Sequence, residues 1–150
     1  MSSVNTSSRL DGQWHTAANR LSREECLALL EGQQLGRIAL VAPGGSPLIR
    51  PLSYRFDRPS QSIVFRTLPG FKLYSLLRAG RAAFEIDGIE RDGTSAYSVI
   101  VTGVCEQVTR PLEMARLERL GLCSWAGHAA RAWFRLRANT VSGRRLAGDC

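Results

Sequence analysis

A short segment near the middle of the chain combines side chains that bind phosphate. A strand-like run ends in Arg66 and Thr67, turns through Pro69 and Gly70, and resumes at Lys72. A guanidinium, a hydroxyl, an ammonium and free backbone N–H groups can meet a phosphomonoester through charge-assisted hydrogen bonds. Lys72 is also the only lysine among twenty basic side chains, so a compact ammonium stands where the chain otherwise uses arginine. The segment therefore predicts a phosphate-binding turn.

A short helix is predicted near the N-terminus of the chain. Residues 1–20 are rich in Ser, Thr and Asn without periodicity, and they predict a flexible arm. Ser22 and Glu25 then match a capping box, which satisfies backbone N–H groups at the start of a helix. Apolar side chains at positions 26, 29 and 30 share one helical face, and Gly32 ends the pattern. A short amphipathic helix is expected here.

Strand patterns dominate the rest of the chain, with helices inserted among them. Helices are predicted over residues 72–80 and 111–121, and Gly103 predicts a bulge or bend in a long strand. The predicted strands are Leu35–Ala42, Pro47–Phe56, Ser62–Thr67, Arg81–Ile89, Ser95–Thr109 and Trp133–Val141. This order favours a mainly β fold, a small antiparallel barrel, over a doubly wound sheet. The motifs Gly-x-Gly-x-x-Gly, Gly-x-x-x-x-Gly-Lys and Gly-x-Ser-x-Gly are absent, which disfavours a Rossmann domain, a P-loop and a serine hydrolase.

The composition is that of one folded domain. The 150 residues include 44% hydrophobic and 22% charged side chains, and no apolar run approaches the roughly 20 residues that span a bilayer. The polar opening segment lacks the apolar stretch of a secretory signal, so a cytoplasmic location without membrane contact is expected. Among the four cysteines there is no Cys-x-x-Cys pair, which predicts neither a metal site nor a disulfide. Cys26 and Cys105 are expected to be buried, and Cys150 to be an exposed thiol in the tail.

The positive charge has three possible meanings. A net charge of +7 and a pI near 10.1 suit nucleic acid, an anionic membrane surface or an anionic small ligand. The arginines are scattered, with only Arg144 and Arg145 adjacent, and no recognition-helix, zinc-finger or RNP-like pattern accompanies them. Nucleic acid is therefore disfavoured as a partner. Glu85 and Asp87 point the same way on a predicted strand and are expected to be salt-bridge partners of these arginines.

The order of these elements and motifs resembles the pyridoxamine 5′-phosphate oxidase-like, FMN-binding split-barrel family, in its short bacterial branch. The resemblance covers residues 21–146, which are assigned as the domain, and leaves 147–150 as a C-terminal tail. The matching segments are Glu25–Leu30, Leu35–Ile38, Arg50–Tyr54 with Asp57, Ile63–Thr67, Gly70 with Lys72-Leu73, Ala83–Asp87, Tyr97–Val99 with Val101 and Gly103, Trp125–Gly127, and Val141 with Gly143–Arg145.

The resemblance implies a split-barrel homodimer that holds FMN in clefts between the subunits. The strand Arg50–Tyr54 would run beside the isoalloxazine ring. The implied contacts are main-chain groups of Pro51, Leu52 and Ser53 at the pyrimidine edge, Arg66, Thr67 and Lys72 at the phosphate, and Tyr97 and Ser98 from the partner subunit. Arg50 and Gly70 are also implied to be cofactor-binding residues. Related sequences often read Gly-Trp-Ser where this chain has Ala96-Tyr97-Ser98. An aromatic side chain is therefore kept at this position, but its size and hydrogen bonding differ. An apolar patch of Val99, Ile100, Val101 and Trp133 is expected to be covered by the second subunit.

The activity expected from the resemblance is redox chemistry. The flavin would exchange a hydride or electrons with a small, flat substrate, while the protein supplies placement and electrostatics. No catalytic side chain is assigned, and Trp125 and Trp133 are expected to be structural. One alternative is a module that binds flavin, deazaflavin or haem without turnover. Another is a scaffold whose cleft has lost its cofactor.

Overall fold

The structure is a computed structural model that describes residues 19–69, 72–78, 80–123 and 131–147. Its elements are α1 (Arg23–Gly32), β1 (Leu35–Val41), β2 (Pro47–Ser53), β3 (Arg55–Asp57), β4 (Ser62–Thr67), α2 (Lys72–Leu77), β5 (Arg81–Ile89), β6 (Ser95–Val108), α3 (Pro111–Glu118), β7 (Ala132–Arg137) and β8 (Thr140–Ala147). Gly70, Trp125 and Cys150 lie outside the described residues. Most of the predicted arm and tail also lies outside them, so those two boundaries stay predictions.

The capping box at the start of α1 is confirmed. The Ser22 hydroxyl accepts a hydrogen bond from the Glu25 N–H at 3.2 Å, and the Glu25 carboxylate accepts one from the Ser22 N–H at 3.0 Å. Gly32 is the last helical residue, as expected. The buried face of the helix consists of Cys26, Leu27 and Leu30, with Leu29 only half-buried. Because this face packs on the sheet, α1 closes one end of the core.

All strand pairings in the described part of the chain are antiparallel. The strands follow the order β2-β1-β5-β6-β7-β4-β3, and β8 pairs with β6. The two ends of this path, β2 and β3, are separated along the chain by Tyr54 alone. The sheet must therefore curl until its ends meet, which makes a half-barrel with a few helices. The predicted fold class is confirmed.

Tyr54 divides a segment that the sequence predicts as one strand. Residues 47–56 form two strands, because β2 pairs with β1 while β3 pairs with β4. The Tyr54 side chain is fully buried, its hydroxyl donates to the Leu30 carbonyl at 2.6 Å, and its ring meets Phe84 edge-on at 4.7 Å. Burial raises the pKa of its hydroxyl, which keeps it neutral as a donor. The point where the two strands separate is thus held by the core.

The last predicted strand, Trp133–Val141, is wrong in its extent. The chain forms β7 and β8, which lie end to end along one edge of β6 and reach Ala147. Between them, three residues, Arg137–Asn139, stand opposite two residues, Gly103 and Val104, of β6. This extra residue makes a bulge, and the Asn139 side chain fills it by accepting from the Val104 N–H at 3.2 Å. Gly103 marks the bulge as predicted, although the extra residue lies on the opposite strand.

Gly103 permits a close approach of two backbones, and we expect Gly103→Ala to destabilise the protein. A Cβ at this position would overlap the carbonyl group of Arg137, which is main chain and cannot rotate away. The expected loss in free energy of unfolding is about 3 kcal/mol, measured by urea denaturation. Gly32→Ala is the control, because a Cβ there meets no atom within 4 Å. An equally small effect of both substitutions would contradict this packing.

The predicted apolar patch is wrong for three of its four residues. Val99 and Val101 are fully buried, because alternation along β6 turns them into the barrel, and Trp133 is 1% exposed in a second cluster under α3. Only Ile100 is exposed, at 43%. It belongs to an outward face of β1, β5, β6 and β8 whose exposed apolar side chains are Leu35, Val41, Ile89, Ile100, Val104 and Leu146. We call this surface the outward face.

The predicted burial of Cys26 and Cys105 and the predicted ion pairs of Glu85 and Asp87 are confirmed. Cys26 and Cys105 are buried, and burial raises the pKa of both thiols, that of Cys105 to about 12. Arg37 donates to both Glu85 and Asp87 on the outward face.

The described helices include none long and apolar enough to cross a membrane. The residues that the structure describes contain no cluster of three or more His, Cys, Asp or Glu side chains suited to a metal ion.

Candidate functional site

β2 and β3 separate at Tyr54, and each has one edge that pairs with no strand in the described part of the chain. These edges form the split of the half-barrel. β2 is the end of the sheet path, and two prolines in it, Pro47 and Pro51, suit an edge because they need no N–H partner. The register of β3 with β4 pairs Arg55 with Val64. Continued by two residues, it would put Ser53 opposite Arg66, but there the chain has turned away to β1. The end of β4 and the free edge of β2 therefore border the same opening.

The predicted ring-contacting residues lie on this free edge. Arg50 and Pro51 are exposed, while Leu52 and Ser53 are half-buried. Arg50 Nη1 donates to the neighbouring Ile49 carbonyl at 2.9 Å, which leaves other donors of its guanidinium available. Leu52 packs against the main core. An edge strand of this kind offers main-chain groups to a planar ligand that can pair with it.

Arg66 is held on the α3 side of β4. Its Nη2 donates to the Leu122 carbonyl at 3.1 Å, its Nη1 lies 3.6 Å from a Glu118 carboxylate oxygen, and its Cζ lies 5.1 Å from the centroid of the Trp133 ring. Its Nε is buried and donates to no acceptor in the described part of the chain. A guanidinium carries five N–H donors. Arg66 is therefore a largely buried cation with unused hydrogen-bonding capacity.

Thr67 leaves β4 on the opposite face. Alternation along the strand groups it with Ile63 and Phe65, and its residue is 7% exposed. Its hydroxyl donates to the adjacent Leu68 carbonyl at 3.3 Å, a long bond that a better acceptor could replace. Lys72 is the first residue of α2, five positions further on. The structure brings Arg66 and Thr67 to one strand end but aims their side chains in different directions.

Tyr97 and Ser98 lie on β6, away from these residues. β1 and β5 stand between β2 and β6, so the two strands are about 14 Å apart at the usual strand spacing. Tyr97 points into the barrel and is 7% exposed. Its hydroxyl accepts a hydrogen bond from Gln33 Nε2 at 2.6 Å, and its ring lies over Gly88, where a Cβ would come within 2.6 Å of the Tyr97 oxygen. Ser98 points to the outward face.

A cavity of about 410 Å³ opens on the outward face beside Ser98. Its polar lining comes from a row across three strands, since Ser98 pairs with Asp87 on one side and Arg144 on the other. Its apolar lining comes from Ile89, Ala96 and Leu146. The volume lies within the usual range of ligand pockets. The sequence analysis does not place Asp87 or Arg144 at a cavity, because their strand pairings with Ser98 cannot be read from the sequence.

Comparison with known proteins identifies the family. A family model described as pyridoxamine 5′-phosphate oxidase matches residues 22–145. The chain therefore belongs to this family, as its motifs predict. The matched region includes every element described above except the last residues of β8.

Solved structures support the same fold. An FAD-binding protein from Mycobacterium smegmatis is 28% identical, with a TM-score of 0.75 over 87% of this chain and 99% of that one. An FAD-binding protein from Mesorhizobium loti is 26% identical, with a TM-score of 0.69 over 85% and 97% of the two chains. An FAD- and haem-binding protein from M. smegmatis is 18% identical with a TM-score of 0.68, covers 86% of this chain and 75% of its own, and shows the fold alone.

Proposed function

We propose that the protein binds a flavin as a homodimer and uses it in redox chemistry on a small, flat substrate. The observation that carries the proposal is the opening at Tyr54, which is bordered by the outer edge of β2 and by the end of β4. Residues suited to a flavin ring line one side of this opening, and a cation with unused donors, Arg66, lies at the other. The FAD-binding proteins with the same fold support a flavin as the ligand.

FMN is the form that we propose. We propose that one phosphomonoester at the end of β4 accepts charge-assisted bonds from Arg66 and Lys72. The Thr67 hydroxyl and the turn at Gly70 are the further donors that we propose. The main chain of Pro51, Leu52 and Ser53 would meet the pyrimidine edge of the ring, and Arg50 lies beside them on the exposed edge. The unused Nε of Arg66 fits such an acceptor. When bound, the flavin supplies the capacity to exchange a hydride or electrons, and the residues named here hold and orient it.

The separation within one chain argues for two subunits at each site. Tyr97 and Ser98 lie about 14 Å from β2, across two intervening strands. We therefore expect that β2 of one chain and Tyr97 and Ser98 of the same chain do not border one flavin ring. A second copy docked on the outward face would bring its own Ser98 cavity toward the first. The exposed apolar side chains of this face, with the Arg37, Glu85 and Asp87 charges among them, suit a face that another protein surface covers.

The outward face is tested by Ile100→Glu. Light scattering of the unaltered protein is expected to give about twice the chain mass of 16.5 kDa, and the variant is expected to give one chain mass and to lose flavin. Leu112→Glu is the control, because Leu112 is 88% exposed on α3 and lies off the outward face. A monomer at micromolar concentration in the unaltered protein would overturn the dimer.

The ligand is identified by mass spectrometry of whatever co-purifies, together with the visible spectrum. FMN is expected, with its flavin absorbance. FAD or a deazaflavin would replace FMN in the proposal, and a haem spectrum would favour a non-redox binding module. A preparation without ligand that gives no thermal shift with FMN, FAD or riboflavin would overturn flavin binding.

A further inference from the structure

We propose that Glu118 is a specificity-determining residue of the phosphate site, because its carboxylate competes with the flavin phosphate for Arg66. The inference rests on the proposed function. Glu118 is the last residue of α3, and its carboxylate is the one anionic group within ion-pair distance of Arg66 in the described part of the chain. A ligand phosphate that recruits Arg66 must take the guanidinium from this carboxylate.

The present partners of Arg66 are weak for a buried cation. Its one hydrogen bond to a described residue goes to a neutral carbonyl, that of Leu122, and the carboxylate stands at 3.6 Å, beyond normal hydrogen-bond distance. A phosphomonoester carries nearly two negative charges and three acceptor oxygens, so it is the stronger partner. The carboxylate therefore holds Arg66 in place without satisfying it.

Glu118 is itself fixed by a second contact. Its Oε1 accepts a hydrogen bond from Trp133 Nε1 at 3.1 Å, and the Trp133 ring lies under the Arg66 guanidinium. The carboxylate consequently stays near Arg66 when a phosphate arrives, and it continues to compete for the guanidinium. This competition affects FMN and not riboflavin, which has no phosphate. Glu118 thus lowers the preference of the site for the phosphorylated ligand.

Glu118→Gln tests the inference, because a glutamine keeps the oxygen that accepts from Trp133 and removes the charge. Glu118 is more than half exposed, so the expected gain is that of a surface ion pair, about two- to fivefold tighter binding of FMN. Riboflavin affinity is expected to stay unchanged. Glu24→Gln is the matched control, since Glu24 lies on α1 and the substitution removes the same charge from its exposed ion pair with Arg58. Affinities are measured by calorimetry on the flavin-free protein.

A double-mutant cycle shows whether the effect passes through Arg66. In an Arg66→Ala background, Glu118→Gln is expected to leave FMN affinity unchanged, because the competed cation is gone. Tighter FMN binding that persists without Arg66, equal gains for riboflavin, or no gain at all would each overturn the inference. If Glu118→Gln gives no gain while Arg66→Ala alone selectively weakens the binding of FMN, the phosphate site stands and only the role of Glu118 fails. Absence of any flavin binding would overturn both.

Discussion

Replacing Lys72 and Arg66 together by alanine is expected to weaken FMN binding by at least a hundredfold and to leave riboflavin binding nearly unchanged. Each charge-assisted contact with the phosphate contributes on the order of 1.5–3 kcal/mol, or roughly ten- to a hundredfold in affinity. Only FMN carries the phosphate, so the ratio of the two dissociation constants isolates the cradle. Calorimetry or quenching of flavin fluorescence measures both.

Arg55 offers the matched control for Arg66. Its guanidinium donates to the Leu120 carbonyl at 3.1 Å and the Gly121 carbonyl at 3.0 Å, so it anchors the segment after α3 much as Arg66 does through Leu122. Arg55→Ala is therefore expected to loosen this segment as Arg66→Ala does, without selective loss of FMN. If both ligands weaken equally in the double variant, or if Arg55→Ala reproduces its selectivity, the phosphate assignment is wrong.

Asp57→Asn is expected to lower the free energy of unfolding at neutral pH by about 3 kcal/mol, because it leaves the Arg116 guanidinium without its buried partner. The Asp57 side chain is 1% exposed and accepts two hydrogen bonds from Arg116, at 2.7 and 2.9 Å, and a third from Ser60. This pair ties α3 to β3. Since Arg116 is 40% exposed, water compensates part of its loss, and a larger effect is not expected.

The same carboxylate predicts a pH dependence. Hydrogen bonds from Arg116 lower the pKa of Asp57 in the folded protein, against the opposing effect of burial. A lowered pKa contributes stability that is complete above the unfolded value, near 3.9, and is lost as the pH falls through the folded value. Denaturation midpoints measured from pH 7 downward should therefore fall less steeply for Asp57→Asn than for the unaltered protein. Asp92→Asn, at an exposed carboxylate, should change the pH profile of stability much less. Identical profiles for Asp57→Asn and the unaltered protein would contradict the assignment of this pH dependence to Asp57.

Features set by neighbouring residues could be predicted from the sequence. The capping box of Ser22 and Glu25, the break between the first two predicted strands, and the bounds of β4 and β5 all agree with the structure. At that break Gly44 and Gly45 adopt positive φ. Each depends on a few consecutive side chains and their backbone preferences. The family was predicted from the order of such segments, because the order of several weak local signals can be read along a single chain.

Long-range pairing decided what the local patterns could not. Nothing near Tyr54 signals that one strand must split, since the reason is a hydroxyl that reaches Leu30 and a ring that packs on Phe84. The break between β7 and β8 likewise depends on a bulge opposite Gly103. The burial of Val99 and Val101 depends on which face of β6 points into the barrel. A period-two pattern gives alternation but does not say which side is inside.

The candidate site divides in the same way. The prediction of a phosphate-binding turn at Arg66, Thr67 and Lys72 came from the sequence alone, because the chemistry of these residue types needs no fold to be recognised. Only the tertiary structure decided that Arg66 leaves β4 on the α3 side, that Glu118 stands beside it, and that two strands separate β2 from Ser98 on β6. The physical reason is that direction and distance across a sheet arise from hydrogen bonds between residues far apart in the chain, and the local sequence does not record those partners.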